Sequence, residues 1–223
     1  MRKALEIGGF IAAAVLIVFG VVAISMGING RQTVNKSLTN EYIVGTPDMT
    51  PSAIKAEAQK AGIASSVTLW PTQSVANQKI NTGAKARLMA EYMRIHTLEA
   101  THGFTYAQMG IYNAKPGTPK AQLMPGGGTD NAQYAAIDPQ TKLPVQNASR
   151  QIWVTYTALG TALNTSYMAD QLGLFGIVVG IALLLSGFGF AILAGAGALR
   201  NPETVLSFAK KSKVQKTPAV PVA

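Results

Sequence analysis

The chain has 223 residues, 13% of them charged, a net charge of +9 and no cysteine. That length holds one ordinary soluble domain or two small ones, and the missing cysteine excludes a disulfide framework and thiolate chemistry. The basic excess gathers at the two ends, at Arg2 and Lys3 and again at Arg200, Lys210, Lys211, Lys213 and Lys216. No patch of interleaved aromatic and basic residues accompanies it, so nucleic acid is not an expected partner.

Residues 1–6 read as a short cytoplasmic N-terminus. An apolar run over residues 7–28 follows. A basic start before an apolar run has the outline of a signal peptide, but this run is longer than the ~7–15 residues of a signal core. An uncleaved signal anchor, a first transmembrane helix, is expected. The helix is expected to continue past the membrane through Arg31–Glu41, with Val34 and Leu38 four apart, until Gly45 and Pro47 break it.

Thr50-Pro51 is a helix start, a hydroxyl cap followed by proline at the first helical position. That helix runs through Ile54, Ala58 and Ala61 and stops at Gly62. Val67–Trp70 reads as extended and ends at Pro71. Gly83 opens a helix over Ala84–Ala100, with Ala84, Leu88, Tyr92, Ile95 and Leu98 as its core stripe. Glu91 and Arg94, three apart, are expected to pair.

From Thr101 to Val145 glycine and proline interrupt every periodicity. Lys115–Asp130 is expected to be an exposed loop, flanked by short helices at Tyr106–Tyr112 and Asn131–Ile137. The last element starts near Ala148. Ile152, Tyr156, Leu159, Leu163 and Tyr167 step 4, 3, 4, 4 along an amphipathic helix, and no proline separates it from the next run.

That run, Leu172–Leu199, holds 28 consecutive uncharged residues. It exceeds the ~20 apolar residues that cross a bilayer as a helix. One long helix from about 148 to 199 is expected, its first half in water, with no flexible tether before the second span. Asn201-Pro202 ends it, and residues 200–223 read as a basic, disordered cytoplasmic tail near anionic headgroups.

Lys and Arg flank the outer ends of both runs. By the positive-inside rule both termini are cytoplasmic, and residues 29–171 form an extracytoplasmic domain of a multi-pass plasma-membrane protein. The fold class expected is mainly α, two transmembrane helices flanking a mostly helical outer domain. Gly176-Ile-Val-Val-Gly180 is a small-xxx-small contact for the first span or for a second copy.

The candidate chemistry is sparse. His96, Glu99 and His102 are spaced by three on one helix, with Glu91 upstream, the way carboxylate–histidine metal sites on helices begin. With two histidines in the chain, no complete metal set is visible and no cofactor is implied. Tyr92, Arg94 and His96 form a candidate interaction surface. No Gly-x-Ser-x-Gly is present, and Gly126-Gly127-Gly128 lacks the Lys-Ser/Thr of a phosphate loop. Asn35, Asn147 and Asn164 each begin a short glycosylation-type triplet.

Several stretches together resemble a family of two-span membrane proteins of actinobacteria. They are MRKA at 1–4, GGFIAAAVL at 8–16, VGTPDMTP at 44–51 with IKAE at 54–57, EYMRIH at 91–96 with LEAT at 98–101, and ALNTSYM at 162–168. The resemblance covers most of the chain. It implies two spans and an outer domain rather than an activity. Members often carry the label aromatic ring-opening dioxygenase, a class that holds non-haem iron among His and carboxylate ligands in a soluble complex. Relatives carry a cysteine pair where this chain has Gln73 and Leu88. The resemblance therefore implies a disulfide that is missing here, its work left to packing through Leu88.

The expected role is a structural protein, accessory subunit or sensor of the cell envelope, without catalysis. Its partners are the lipid bilayer and either other membrane proteins or a second copy. The alternatives are a metal-dependent membrane-anchored enzyme using His96 and Glu99, and lipid or small-ligand binding between the anchors.

Overall fold

The computed structural model describes residues 2–67 and 69–196. The expected tail, the Asn201-Pro202 stop, the last residues of the second span and Thr68 of the extended segment lie outside the described residues. The described chain is mainly helical: α1 over Arg2–Asn40, α2 over Pro51–Lys60, α3 over Gly83–Ala100 and α4 over Ala148–Gly195, with short 3-10 turns and no strand. Two of these helices, α1 and α4, are long and apolar enough to cross a membrane. The chain divides into two compact units, one formed by residues near both ends and the other by Gly30–Leu172.

In the first unit α1 and α4 meet through glycine. Ala13, Gly20 and Gly27 of α1 are buried, each seven residues after the last, and so are Gly180, Gly187 and Ala194 of α4. A seven-residue repeat keeps one seam of each helix on its neighbour. A Cβ on Gly20 would stand 2.8 Å from the Gly180 carbonyl oxygen, and one on Gly180 would stand 2.7 Å from that of Gly20. Glycine is required there because the two backbones touch. Gly176 also faces α1, but a Cβ on it would sit 3.5 Å from the Ala23 oxygen, an ordinary contact. The large side chains point away from the seam: Phe19, Phe175, Leu185 and Ile192 are each more than 60% exposed. An apolar outer surface around a small-residue seam is what a helix pair needs in lipid, where packing replaces the hydrophobic effect as the force between helices.

The second unit has a core of its own. Ile54, Ile63, Ile80, Tyr92, Ile95 and Leu98 are all but fully buried. Each such aliphatic side chain contributes ~1.5–3 kcal/mol by leaving water. α2 forms as its sequence dictates. The Thr50 hydroxyl accepts from the Ala53 amide at 3.2 Å, Pro51 opens the helix, Ile54 and Ala58 are buried, and Gly62 leaves it at φ +72°.

α3 starts at the Thr82 cap, but its buried face is rotated from the expected stripe. Ala86, Met89, Ala90, Tyr92, Ile95 and Leu98 face inward, while Ala84 is exposed and Leu88 half-buried. The cause is α4. Its Asp170 and Tyr167 lie so near Gly83 that a Cβ there would stand 2.5 Å from Cβ of Asp170, so the small residues of α3 must turn toward it. α4 itself buries Trp153, Gly160, Leu163 and Asp170. Ile152 and Leu159, expected in the core, are 38% and 46% exposed. The inward stripe lies one residue later in both places: the Trp153 indole is held inward by the Phe104 carbonyl and the Thr101 hydroxyl, and buried Gly160 lies beside the Tyr156 ring.

Residues 101–147 hold three single 3-10 turns in place of the expected short helices. Lys115–Asp130 is not an open loop throughout, since Thr129 is fully buried and exchanges backbone hydrogen bonds with Tyr112 at 2.9 and 3.0 Å. Gly127 and Gly128 turn at φ +85° and +77°, and a Cβ on Gly128 would stand 2.6 Å from the Tyr112 carbonyl oxygen.

Candidate functional site

α3 carries the chemistry-bearing side chains of the second unit. His96 lies half-buried on its outer flank, and both ring nitrogens have carboxylate neighbours. Nε2 is 2.9 Å from Oδ2 of Asp48, and Nδ1 is 3.3 Å from Oε2 of Glu99. Glu57, on α2, completes a group. One ligand atom each from Asp48, Glu57 and His96 lie within 4.8 Å of one another.

The fold brings these residues together for definite reasons. Asp48 sits just before the Thr50 cap, in a turn where the Met49 amide bonds to the Thr46 carbonyl at 3.0 Å. Glu57 lies three residues after buried Ile54 and one before buried Ala58, so the packing of α2 on α3 carries its carboxylate to the His96 edge. His96 follows buried Ile95 on α3. Glu99 is one turn further on, the ordinary reach of an i, i+3 pair.

Electrostatics follow from this placement. The Asp48 carboxyl is held below the usual carboxylate range, first by the Thr46 hydroxyl, with its own backbone amide and His96 adding to the effect against the opposing influence of burial. A neutral imidazole has one N–H. Between two carboxylates, which accept only, its second nitrogen needs either a proton or a cation in that position. The arrangement is therefore suited to holding positive charge on the Nε2 side.

The expected metal set is only partly assembled. His96 and Glu99 meet, but His102 does not join them. It lies beyond the end of α3, exposed, in a left-handed turn at φ +54°. Glu91 pairs with Arg87 at 3.1 Å instead of Arg94, and Arg94 lies over the Trp153 ring at 5.7 Å. The Arg87 guanidinium is held above its ordinary range by the hydrogen bond to Glu91 and then by Tyr167.

The expected interaction surface is corrected in one member. Tyr92 is fully buried, its hydroxyl donating to the Gln73 carbonyl at 3.0 Å, so it offers nothing to a partner. Burial pushes its phenol up to about 12. That bond ties the Gln73 segment to α3, while Leu88 packs half-buried against the core. Arg94 is exposed and His96 half-buried.

Asp48 and Glu57 escaped the sequence reading because they lie about 40–50 residues before His96. The one available signal was an acid just before a capped helix and another within it, Asp48 and Glu57. Asn147 is 6% exposed and bonded on both sides, donating to the Gly110 carbonyl and accepting from the Ser149 amide. It is a helix cap, not a free acceptor for a sugar.

Two shallow apolar hollows lie nearby. One of about 400 Å³ runs beside His96, between Met93, Ala100, Ile152 and Tyr156. Another of about 430 Å³ lies between Leu38, Ile43, Met93 and Leu159. No protein-family model, curated protein or solved structure matches this chain.

Proposed function

We propose that the chain is a two-span integral membrane protein of the cell envelope whose second unit works outside the membrane as a structural, accessory or sensing domain. Both ends lie in the cytoplasm and residues 29–171 outside, and the chain belongs with the two-span family it resembles. The observation that carries this reading is the helix pair of the first unit: a glycine seam inside, large apolar side chains outside. Such a surface is unfavourable in water and ordinary in lipid.

The flanking charges set the orientation. Reporter fusions test it. A cytoplasm-dependent fluorescent reporter after Ala223 is expected to be active, and a reporter active only outside the cytoplasm is expected to work when inserted at exposed Lys142. The opposite pattern would refute the topology.

A second reading, a metal-dependent enzyme using His96 and Glu99, draws on the contact between those two side chains. The first reading is preferred because the expected metal set is not assembled: His102 lies beyond the end of α3, exposed, in a left-handed turn.

A further inference from the structure

We propose that Asp48, Glu57 and His96 form a binding site for a divalent transition-metal cation of the zinc class, with Glu99 positioning the histidine. The proposal goes beyond the membrane reading, and it stands or falls separately from it.

The donor set comes first. A zinc-class cation takes imidazole nitrogen and carboxylate oxygen at ~2.0–2.2 Å, which places neighbouring donor atoms about 3.3 Å apart in a tetrahedral shell. The three donor atoms here lie within 4.8 Å of one another, and Nε2 of His96 is 2.9 Å from Oδ2 of Asp48. Three protein ligands leave a fourth position open, and the half-exposed site gives water or a small anion access to it.

The second argument is Glu99. Histidines that ligate metals almost always donate their other N–H to a carboxylate or carbonyl, which fixes the tautomer and turns the free nitrogen to the metal. Glu99 stands at that position, 3.3 Å from Nδ1. With the proton on Nδ1, the lone pair of Nε2 points at Asp48, a carboxylate that cannot donate to it. A second ring proton resolves that conflict, and so does a cation bound to both atoms from one side.

The third argument is Glu57. A simple ion pair between His96 and Asp48 needs no further acid. Yet Glu57 adds a second negative charge with no ion pair of its own among the described residues. Uncompensated, it repels Asp48; with a divalent cation present, the three ligands carry two negative charges against two positive.

The test uses the full chain purified in detergent, stripped with a chelator and titrated with zinc chloride by calorimetry. Cobalt(II) absorption reports the coordination. One zinc per chain and a rise in Tm on zinc addition are expected. Glu57→Gln is the informative variant, because it removes a ligand and leaves the His96 pairs with Asp48 and Glu99 in place. It is expected to lose at least tenfold in zinc affinity while its Tm without metal stays within 2 °C or rises. Glu99→Gln is expected to weaken zinc about 10–100-fold, the usual effect of losing such a partner, and His102→Ala to change nothing. No saturable zinc at one per chain, wild-type zinc affinity in Glu57→Gln, or equal losses in His102→Ala and Glu57→Gln would each overturn the site. None of these outcomes bears on the reporter fusions, and a reversed topology would leave the titration intact.

Discussion

The guanidinium of Arg31 donates to the carboxylate of Asp170 at 2.9 Å, joining residues 139 positions apart in the chain. The Asp170 side chain is only 6% exposed, that of Arg31 40%. Removing the arginine leaves a buried carboxylate without its partner, which costs more than the pair itself contributes. Because Arg31 reaches solvent, the penalty is moderated. Arg31→Ala is expected to destabilise the second unit by about 1–3 kcal/mol. Adding Asp170→Asn should recover most of that loss. Thermal denaturation in detergent compares the single and double variants, and a double variant no better than the single would show that the pair is not the cause.

The glycine seam separates two positions that look alike in sequence. A methyl at Gly180 meets Ile24 and the Gly20 carbonyl at 2.6 and 2.7 Å, whereas one at Gly176 finds ordinary contacts at 3.5 Å and beyond. Gly180→Ala is expected to cost ~1–3 kcal/mol, as overpacking does. Gly176→Ala should be close to neutral, and Gly189→Ala, with nothing within 4 Å, serves as the control. Equal effects at 176 and 180 would mean that the helices meet on another face.

Tyr92 gives the molecule an alkaline limit. Its phenol rises from 10 to about 12 on folding, mainly through burial. The folded state therefore holds the proton more tightly than the unfolded chain. The associated stability is complete below pH 10 and is lost as pH climbs from 10 toward 12. Tyr92→Phe should flatten this part of the stability–pH curve. It should also lower stability near neutrality by about 0.5–1.5 kcal/mol, through loss of the bond to the Gln73 carbonyl. Denaturant titrations across that pH range read both effects.

Trp153 is the hub between α3, the turn after it and α4. Its indole N–H is shared between the Phe104 carbonyl at 2.8 Å and the Thr101 hydroxyl at 3.2 Å, and its ring stacks edge-on against Tyr156 at 5.5 Å. Trp153→Ala is expected to cost ~3–5 kcal/mol, the range for a large buried aromatic. Trp153→Phe, which keeps most of the volume but drops the donor, should cost about 1–3 kcal/mol. A Phe variant as damaged as the Ala variant would place the weight on the hydrogen bonds.

The sequence carried the helices well and their inward faces less well. α2 was legible at both ends because Thr50, Pro51 and Gly62 each act locally. The α4 stripe is displaced because hydrophobicity favours Ile152 and Leu159, while the buried positions are Trp153, fixed by its hydrogen bonds, and Gly160, which no hydropathy pattern marks. Small residues carry little hydropathy, so sequence patterns under-weight the surface that touches most closely. The same logic explains α3, where Ala86 and Ala90 face inward and Ala84 does not. At the His96 site only Glu99 was visible, because helical spacing reveals neighbours one turn away. Asp48 and Glu57 arrive through the packing of α2 on α3, which no local spacing records. Tyr92 belongs to the apolar stripe of α3 yet carries a polar tip, and burial with its hydroxyl bonded to the Gln73 carbonyl places it in the core.

The seam between Gly20 and Gly180 also imposes an order on biogenesis. Its two halves are separated by the whole second unit, about 140 residues. At ~5–20 residues per second of synthesis, the first helix waits roughly 7–30 seconds before its partner leaves the ribosome. During that interval Gly20 and Gly27 lack the surface that covers their backbones, and any other small-residue helix nearby is a competitor for them. The core of the second unit itself includes Trp153 and Leu163 of α4, so the late arrival of that one helix completes both units.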